Sequence, residues 1–377
     1  MRADDIRARG GILVVSARTG TGHLRAAEAL VEAAAEAHPG VRVTHVELLE
    51  VAPRWVRACY GAGYEWMAAR APRAWSGIYR LTDGDGGDRA RWAPLARRLL
   101  FREFTRLVGA GWDACVCTHF LPAQLAGRLR GAPPISVVMT DFTVHRFWAQ
   151  PAIARYFVPT GAAAAELRRR LPRARVEASG IPISAAVGKA PSRAAARATL
   201  GLDTRPVLLL TGGGLGIGVE AAVDAALAGT REEVQLVAVC GRGEAARERL
   251  ESRGLPPSRL RVLGYARDLE RWMAAADVVA GKAGGLFTSE ALALGKPLVL
   301  TQPIPGAEEG NTAEVVREGA ALAGRGFGEM RDAFARAFAE PALLARLAEN
   351  ARRLGRPHAA RTVLDAVLRE SALGAAA

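Results

Sequence analysis

"ILVVSARTGTGHLRAAEAL", residues 12–30, packs a strand, a glycine turn and a helix into one stretch. Its first six residues, Ile12–Ala17, are the nearly unbroken apolar run of a strand covered on both faces. Thr19–Gly22 interrupts the run, and Ala26, Ala27 and Leu30 then recur at helical spacing. A buried strand turning directly into a helix is the opening of a β-α-β crossover, which builds parallel sheets. The same opening recurs at "PVLLLTGGGLGIG", residues 206–218.

Outward from these two starts, apolar runs alternate with Ala/Leu/Arg/Glu-rich helical stretches. Strands are expected over 12–17, 41–48, 113–119 and 134–140, then over 206–213, 234–241, 260–266, 277–283 and 297–303. Between the halves, "SGIPISAAVGKAPS" (179–192) has the Pro/Gly/Ser content of a linker. The fold class expected is therefore α/β, two doubly wound parallel-sheet domains facing one another. A length of 377 residues suits two full cores.

No run approaches the length of a membrane span. "MRADDIRARGG" at the start carries acids and no apolar segment, so a cytoplasmic location is expected. Cys59, Cys115, Cys117 and Cys240 show neither metal-ligand nor CxxC spacing; Cys115 and Cys117 read as small apolar residues on one strand face. The net charge is +13, but 48 of the 51 basic residues are arginine, the bias a GC-rich genome imposes. The charge thus leaves open both a plain solvated surface and attraction to an anionic partner. Neither zinc-finger spacing nor a sustained basic-aromatic pattern favours nucleic acid.

Residues 54–106 break the rhythm, with eleven arginines, five acids and Trp55, Trp66, Trp75 and Trp92. Two readings stand side by side: a membrane-interface segment, with aromatics at headgroup level, or a helical insertion whose tryptophans are core. Within it, "TDGDGGD" (82–88) places Asp83, Asp85 and Asp88 in what reads as a surface loop, since the remaining ligands of a calcium loop are missing.

Chemistry concentrates at the strand ends. His23 follows Gly20 and Gly22 at the start of the first helix, where both glycines would permit a positive-φ turn. Arg25 replaces the third glycine of a dinucleotide fingerprint, and no GK[ST] follows, so neither an NAD loop nor a Walker loop is present. At a helix N-terminus the imidazole is expected to be neutral, as a general base must be; a capping or packed histidine is the plainer alternative. The second half offers Gly212–Gly214, Gly216 and Gly218 to an anion. "GKAGGLFTSEALALGKPLVLTQPIPGAEEGN" (281–311) then ends a strand in Gly284-Gly285 and opens a helix through Thr288-Ser289-Glu290. First-turn amides and hydroxyls there suit a diphosphate, Glu290 one turn in suits ribose hydroxyls, and Glu308-Glu309-Gly310-Asn311 forms a polar loop.

Four segments carry a resemblance: "SARTGTGHLRAAEAL", "TDFTVHRFWAQPAIARYFVPT" (140–160) running on to "SGIPI", "LLTGGGLGIG", and "GYARDLERWMAAADVVAGKAGGLFTSEALALGKPLVL" with "PIPGAEEGN". The chain resembles the inverting UDP-sugar glycosyltransferases related to monogalactosyldiacylglycerol synthase and processive diacylglycerol glucosyltransferases, and more distantly the peptidoglycan GlcNAc transferase. The resemblance implies the GT-B architecture, with an acceptor domain over 1–183 that includes segment 54–106, a UDP-sugar domain over 184–349, and a C-terminal helix within 350–377 returning to the first domain. Leu354, Val363, Leu364, Val367 and Leu368 would be that helix's apolar stripe. It implies His23 as base with Asp141 beside it, and Gly22, His145 and Trp148 on the acceptor side. Gly213 and Gly214 fall at the diphosphate, Tyr265 near uracil, and Gly284, Gly285, Ser289 and Glu290 along the nucleotide. Glu308, Glu309 and Asn311 would meet the sugar.

The same resemblance implies no metal and no cofactor beyond the UDP-hexose co-substrate. It implies a lipid acceptor such as diacylglycerol, and peripheral attachment to the anionic inner face of the cell membrane. Two departures stand out: Ala307 replaces a usual Gln before the paired acids, and Phe287 occupies a position usually small or hydroxylated. A soluble transferase for a secondary-metabolite acceptor is the alternative. An NAD-linked oxidoreductase fits less well, with Glu47 meeting one of its requirements and Arg25 failing the other.

Overall fold

The computed structural model describes residues 10–18, 21–59, 77, 83, 93–303 and 306–371. The chain divides into two compact units, Met1–Ala185 with Pro305–Ala307 and His358–Ala377, and Ala186–Ile304 with Glu308–Pro357.

In the first unit, β1 (Ile12–Ser16), β2 (Val43–Glu47), β3 (Ala114–Cys117), β4 (Ile135–Val138), β5 (Arg155–Phe157) and β6 (Arg175–Glu177) form a parallel sheet in the order β2-β1-β3-β4-β5-β6. Side chains alternate between its faces. Leu13, Val15, Cys115 and Cys117 go to one face with Phe104 and Trp148. Ile12, Val14 and Val116 go to the other, under the helix Gly22–Ala37 (Ala27, Leu30) and the helix Ala359–Glu370 (Val363, Leu364, Val367). The two cysteines share a face as expected, with their sulfurs 4.0 Å apart.

The second unit holds β7 (Val207–Thr211), β8 (Gln235–Val239), β9 (Leu260–Leu263), β10 (Val278–Gly281), β11 (Leu298–Thr301) and β12 (Ala321–Gly324), all parallel, in the order β12-β11-β10-β7-β8-β9. Strands β7 and β8 are buried at every position.

Three strands escape the sequence reading. RYF at β5 and RVE at β6 include charged residues, and ALAG at β12 holds one large apolar residue, so none shows an apolar run that stands out from its surroundings. The helix expected over 350–373 is two: Pro341–Leu354 ends at Gly355, and Ala359–Glu370 follows. Pro357 cannot continue a helix. Leu354 therefore closes the earlier helix in the second unit, while Val363, Leu364 and Val367 cover the first.

At the opposite end of the second sheet from the glycine loops, Asp277 ties three elements together. Its carboxylate accepts from Arg193 (2.6 Å), Arg197 (2.5 Å) and the backbone N–H of Val207 (2.7 Å), and its side chain is only 14% exposed. Asp277→Ala strands a backbone donor and a mostly buried guanidinium, so a loss of about 2 kcal/mol is expected. A lower urea midpoint with unchanged slope would show it, and an unchanged midpoint would contradict it.

Candidate active site

In a doubly wound sheet, ligands gather beyond the carboxyl ends of the strands where the order reverses. In the first unit that point lies between β1 and β3. The loop from β1 delivers His23 there as the second residue of the helix Gly22–Ala37, and β3 runs into Thr118-His119. Thr118 Oγ1 donates to the His23 carbonyl (2.8 Å), joining the two loops. Gly22 already lies in the helix, so it does not supply the left-handed turn expected of it; Gly20 lies outside the described residues.

His23 Nδ1 lies 3.0 Å from the Thr118 carbonyl oxygen and 2.7 Å from Thr140 Oγ1. A carbonyl only accepts, so Nδ1 carries the proton, and Nε2 keeps its lone pair. Burial lowers the imidazole's pKa from its ordinary value, opposed by the Asp141 charge and the Thr118 carbonyl. The result is a neutral, tautomer-fixed histidine with a basic nitrogen, the state a general base requires.

A second histidine backs the first. His119 is buried and meets His23 edge to face at 4.5 Å between ring centroids. Its Nδ1 accepts from the Leu121 N–H (3.0 Å), which caps the helix Phe120–Ala126. Burial first, and then His23, hold its pKa well below the usual value. Thr118, His119 and Thr140 were not read from sequence as site residues. Their signal was positional: each is polar, follows a buried strand, and is itself buried.

Asp141 Oδ2 accepts from Trp148 Nε1 (3.1 Å). Trp148 lies 6.0 Å from the His23 ring and 5.8 Å from Phe120 and is 2% exposed, and His145 is 3% exposed. Both were expected to meet the acceptor; the structure buries both, Trp148 against His23 and Asp141 and His145 against Phe147. Asp83, expected in a free surface loop, accepts from the Arg146 N–H (2.8 Å) and Arg170 (3.1 Å), 3.9 Å from His145 Nε2. Asp85, Asp88, Trp66, Trp75 and Trp92 lie outside the described residues. Glu47 accepts from the Arg18 and Leu49 N–H groups (3.0 Å each), capping its own loop.

In the second unit the order reverses between β7 and β10. After β7, the Gly213 N–H donates to Thr211 Oγ1 (3.1 Å), and Gly213 and Gly216 take left-handed φ of 69° and 68°. A side chain at Gly216 would overlap the Cys240 carbonyl, so this loop must be bare. After β10, Gly284 caps the helix Gly285–Ala293, with open space where a Cβ would stand. Thr288 and Ser289 lie beyond the first turn and are buried, contrary to the expected first-turn hydroxyls. The amides of Gly285–Phe287 are what that helix start presents. Phe287 turns its ring back against Gly281, and Glu290 is partly exposed.

Glu308, Glu309 and Asn311 belong to the helix Ala307–Arg317, not to the loop expected. Acids in a first turn favour a helix. Asn311 is 1% exposed and donates to the Ala283 carbonyl (2.9 Å), so it fastens this helix to the turn after β10 rather than reaching outward. Tyr265, after β9, is exposed. Among the described residues no cluster of metal-ligating side chains is found.

Residues 23–183 match the family described as monogalactosyldiacylglycerol (MGDG) synthase, and residues 205–339 match glycosyl transferases group 1. A processive diacylglycerol beta-glucosyltransferase of Bacillus pumilus is 29% identical over 64% of this chain and 63% of its own length. The "Probable monogalactosyldiacylglycerol synthase 2, chloroplastic" of Oryza sativa subsp. indica is 33% identical over 50% of this chain and 42% of its own. The chain thus spans less than two thirds of these relatives' length. Among solved structures, the UDP complex of MnaA from S. aureus superposes with a TM-score of 0.61 at 12% identity over 96% of both chains. MurG of Acinetobacter baumannii gives 0.58 at 16% over 95% of this chain and 99% of its own. The resemblance read from the sequence and the expected GT-B fold class are borne out.

Proposed function

We propose that this chain, which joins an MGDG synthase domain to a group 1 glycosyl transferase domain, transfers a hexose from a UDP-sugar to a hydroxyl of a diacylglycerol-type lipid. The observation that carries the reading is His23 at the reversal point of the first sheet, held as the Nδ1–H tautomer by the Thr118 carbonyl. In this mechanism the acceptor hydroxyl gives its proton to His23 Nε2 while its oxygen attacks the anomeric carbon. The new C–O bond forms on the face opposite UDP, the bond to the diphosphate breaks, and its electron pair leaves with UDP, inverting the centre. The growing charge is met, without a metal, by amides near Gly213, Gly214, Gly284 and Gly285. Glu290 takes the ribose hydroxyls, Tyr265 the base, and Glu308 and Glu309 the sugar.

Attachment to an anionic membrane surface completes the reading. No helix among the described residues is long and apolar enough to cross a membrane. Instead, Trp55, Leu95 and Leu99 are 60%, 63% and 62% exposed, while their neighbours Val56, Phe101 and Phe104 belong to one core cluster. Arg54, Arg57, Arg98, Arg102 and Arg106 stand near them in sequence, all exposed and none ion-paired to another described residue. Exposed apolar side chains accompanied by exposed guanidinium groups match acyl chains beneath phosphate headgroups.

The test is UDP release from a panel of UDP-hexoses, with and without vesicles of diacylglycerol in anionic phospholipid. Release that requires the vesicles is expected, together with salt-sensitive sedimentation that Leu95→Glu with Leu99→Glu abolishes. Release with no dependence on diacylglycerol would shift the acceptor to a soluble molecule, and no release from any UDP-hexose would end the reading.

A further inference from the structure

Lys282 is the first residue after β10, Gln302 the first after β11, and Gly218 closes the turn after β7. Strands β11, β10 and β7 are consecutive in the second sheet, so these residues line its carboxyl edge at the reversal point. Gln302 has φ of 42°, and it is the one non-glycine residue with positive φ among those described. Its N–H is held by the Gly324 carbonyl (3.0 Å), which fixes this conformation. An outlier of this kind at a strand end points to function.

Gly218 shows what the conformation achieves. A Cβ built on it would fall on Gln302 Oε1 and 4.0 Å from Lys282 Cε. The Gln302 amide therefore occupies the space a side chain at Gly218 would fill, and the Lys282 stem runs alongside that space. Lys282 is one of only three lysines among 51 basic residues. A lysine ends in a compact point charge that fits where a guanidinium fork would not. Burial lowers its pKa, and the charge of Glu308 opposes that shift, favouring the ammonium.

We infer that Lys282 is the cation that meets the diphosphate of the nucleotide donor, and that Gln302 is a positioning residue holding it over Gly218. This rests on the reading above that the second unit binds a UDP-sugar. As the anomeric C–O bond breaks, the electron pair passes to the diphosphate, and a charge fixed beside it gains most at that moment. The first residues after β10 and β11 do this work together, and the glycine at 218 leaves the Gln302 amide the room to do so.

Calorimetric titration of the full chain with UDP, UMP and inorganic pyrophosphate tests it. Lys282→Met is expected to lose about ten- to a hundredfold in UDP affinity with a much smaller change for UMP. Lys282→Arg, which keeps the charge, should recover part of the loss. Gln302→Gly removes the strain, so its melting midpoint should stay level or rise while the KM for donor increases, a combination that a purely structural role would not give. An unchanged ratio of UDP to UMP affinity in Lys282→Met overturns the inference and leaves the functional reading intact. Should Lys282→Met not fold, Gln302→Gly decides: wild-type donor KM and UDP affinity would overturn it. A wild-type protein that binds no UDP overturns both.

Discussion

His23→Ala is expected to lower kcat by about a hundred- to ten-thousandfold, the usual contribution of a positioned general base, while UDP affinity is unchanged. The two halves of that outcome have separate causes. The imidazole belongs to the first unit, whereas the residues assigned to UDP belong to the second, so only the chemical step should suffer. The pH profile gives an independent check. A base works in its neutral form, so kcat/KM is lost as pH falls through the pKa of His23. Burial lowers that pKa from 6.5, so the acid limb should have its midpoint below pH 6.5. Asp141 raises the pKa, and Asp141→Asn should therefore move the midpoint lower still. Near-normal turnover in His23→Ala would hand the proton to another group, Asp141 first. An acid limb above pH 7 would contradict the buried environment drawn here.

The second large effect is expected at Trp148. Its ring fills the space between His23, His119 and Phe120, and its indole N–H holds Asp141. Trp148→Ala should cost about 3–5 kcal/mol, enough to lower the melting midpoint of the first unit by roughly 10 °C. Trp148→Phe keeps most of the packing but removes the donor. It should retain much of the stability yet turn over more slowly, because Asp141 is no longer held beside the imidazole. A melting midpoint unchanged in Trp148→Ala would show that the ring is not packed as described. Equal activity in Trp148→Phe would show that the hold on Asp141 does not matter.

The two sheets were legible because their central strands cannot hide. Leu13, Val15, Leu208 and Leu210 sit in runs covered on both faces, and such runs stand out in any sequence. Strands β5, β6 and β12 could not be read because RYF and RVE include charged residues and ALAG holds one large apolar residue, so no apolar run marks them. His23 was legible from the loop in which it stands. Its partners were not, because Thr118 lies 95 residues away and Thr140 lies 117 away, and only strand order brings them together. The burial of Asn311 was hidden for a similar reason. A polar residue in "EEGN" reads as outward-facing until the chain places the Ala283 carbonyl against it. Gln302 and Lys282 left fainter traces: a rare lysine, and a glutamine whose importance lies in its backbone.

The helix Ala359–Glu370 lies on the helix Gly22–Ala37, so one flank of the first unit combines an early part of the chain with a very late one. During translation Ile12, Val14 and Leu30 emerge long before Val363 and Val367. At ribosomal speed the interval is roughly 15–70 s. Throughout it the newborn first half carries an oily flank that lacks this helix. Its yield in the cell should therefore depend on how well chaperones shield that flank until the helix Ala359–Glu370 arrives.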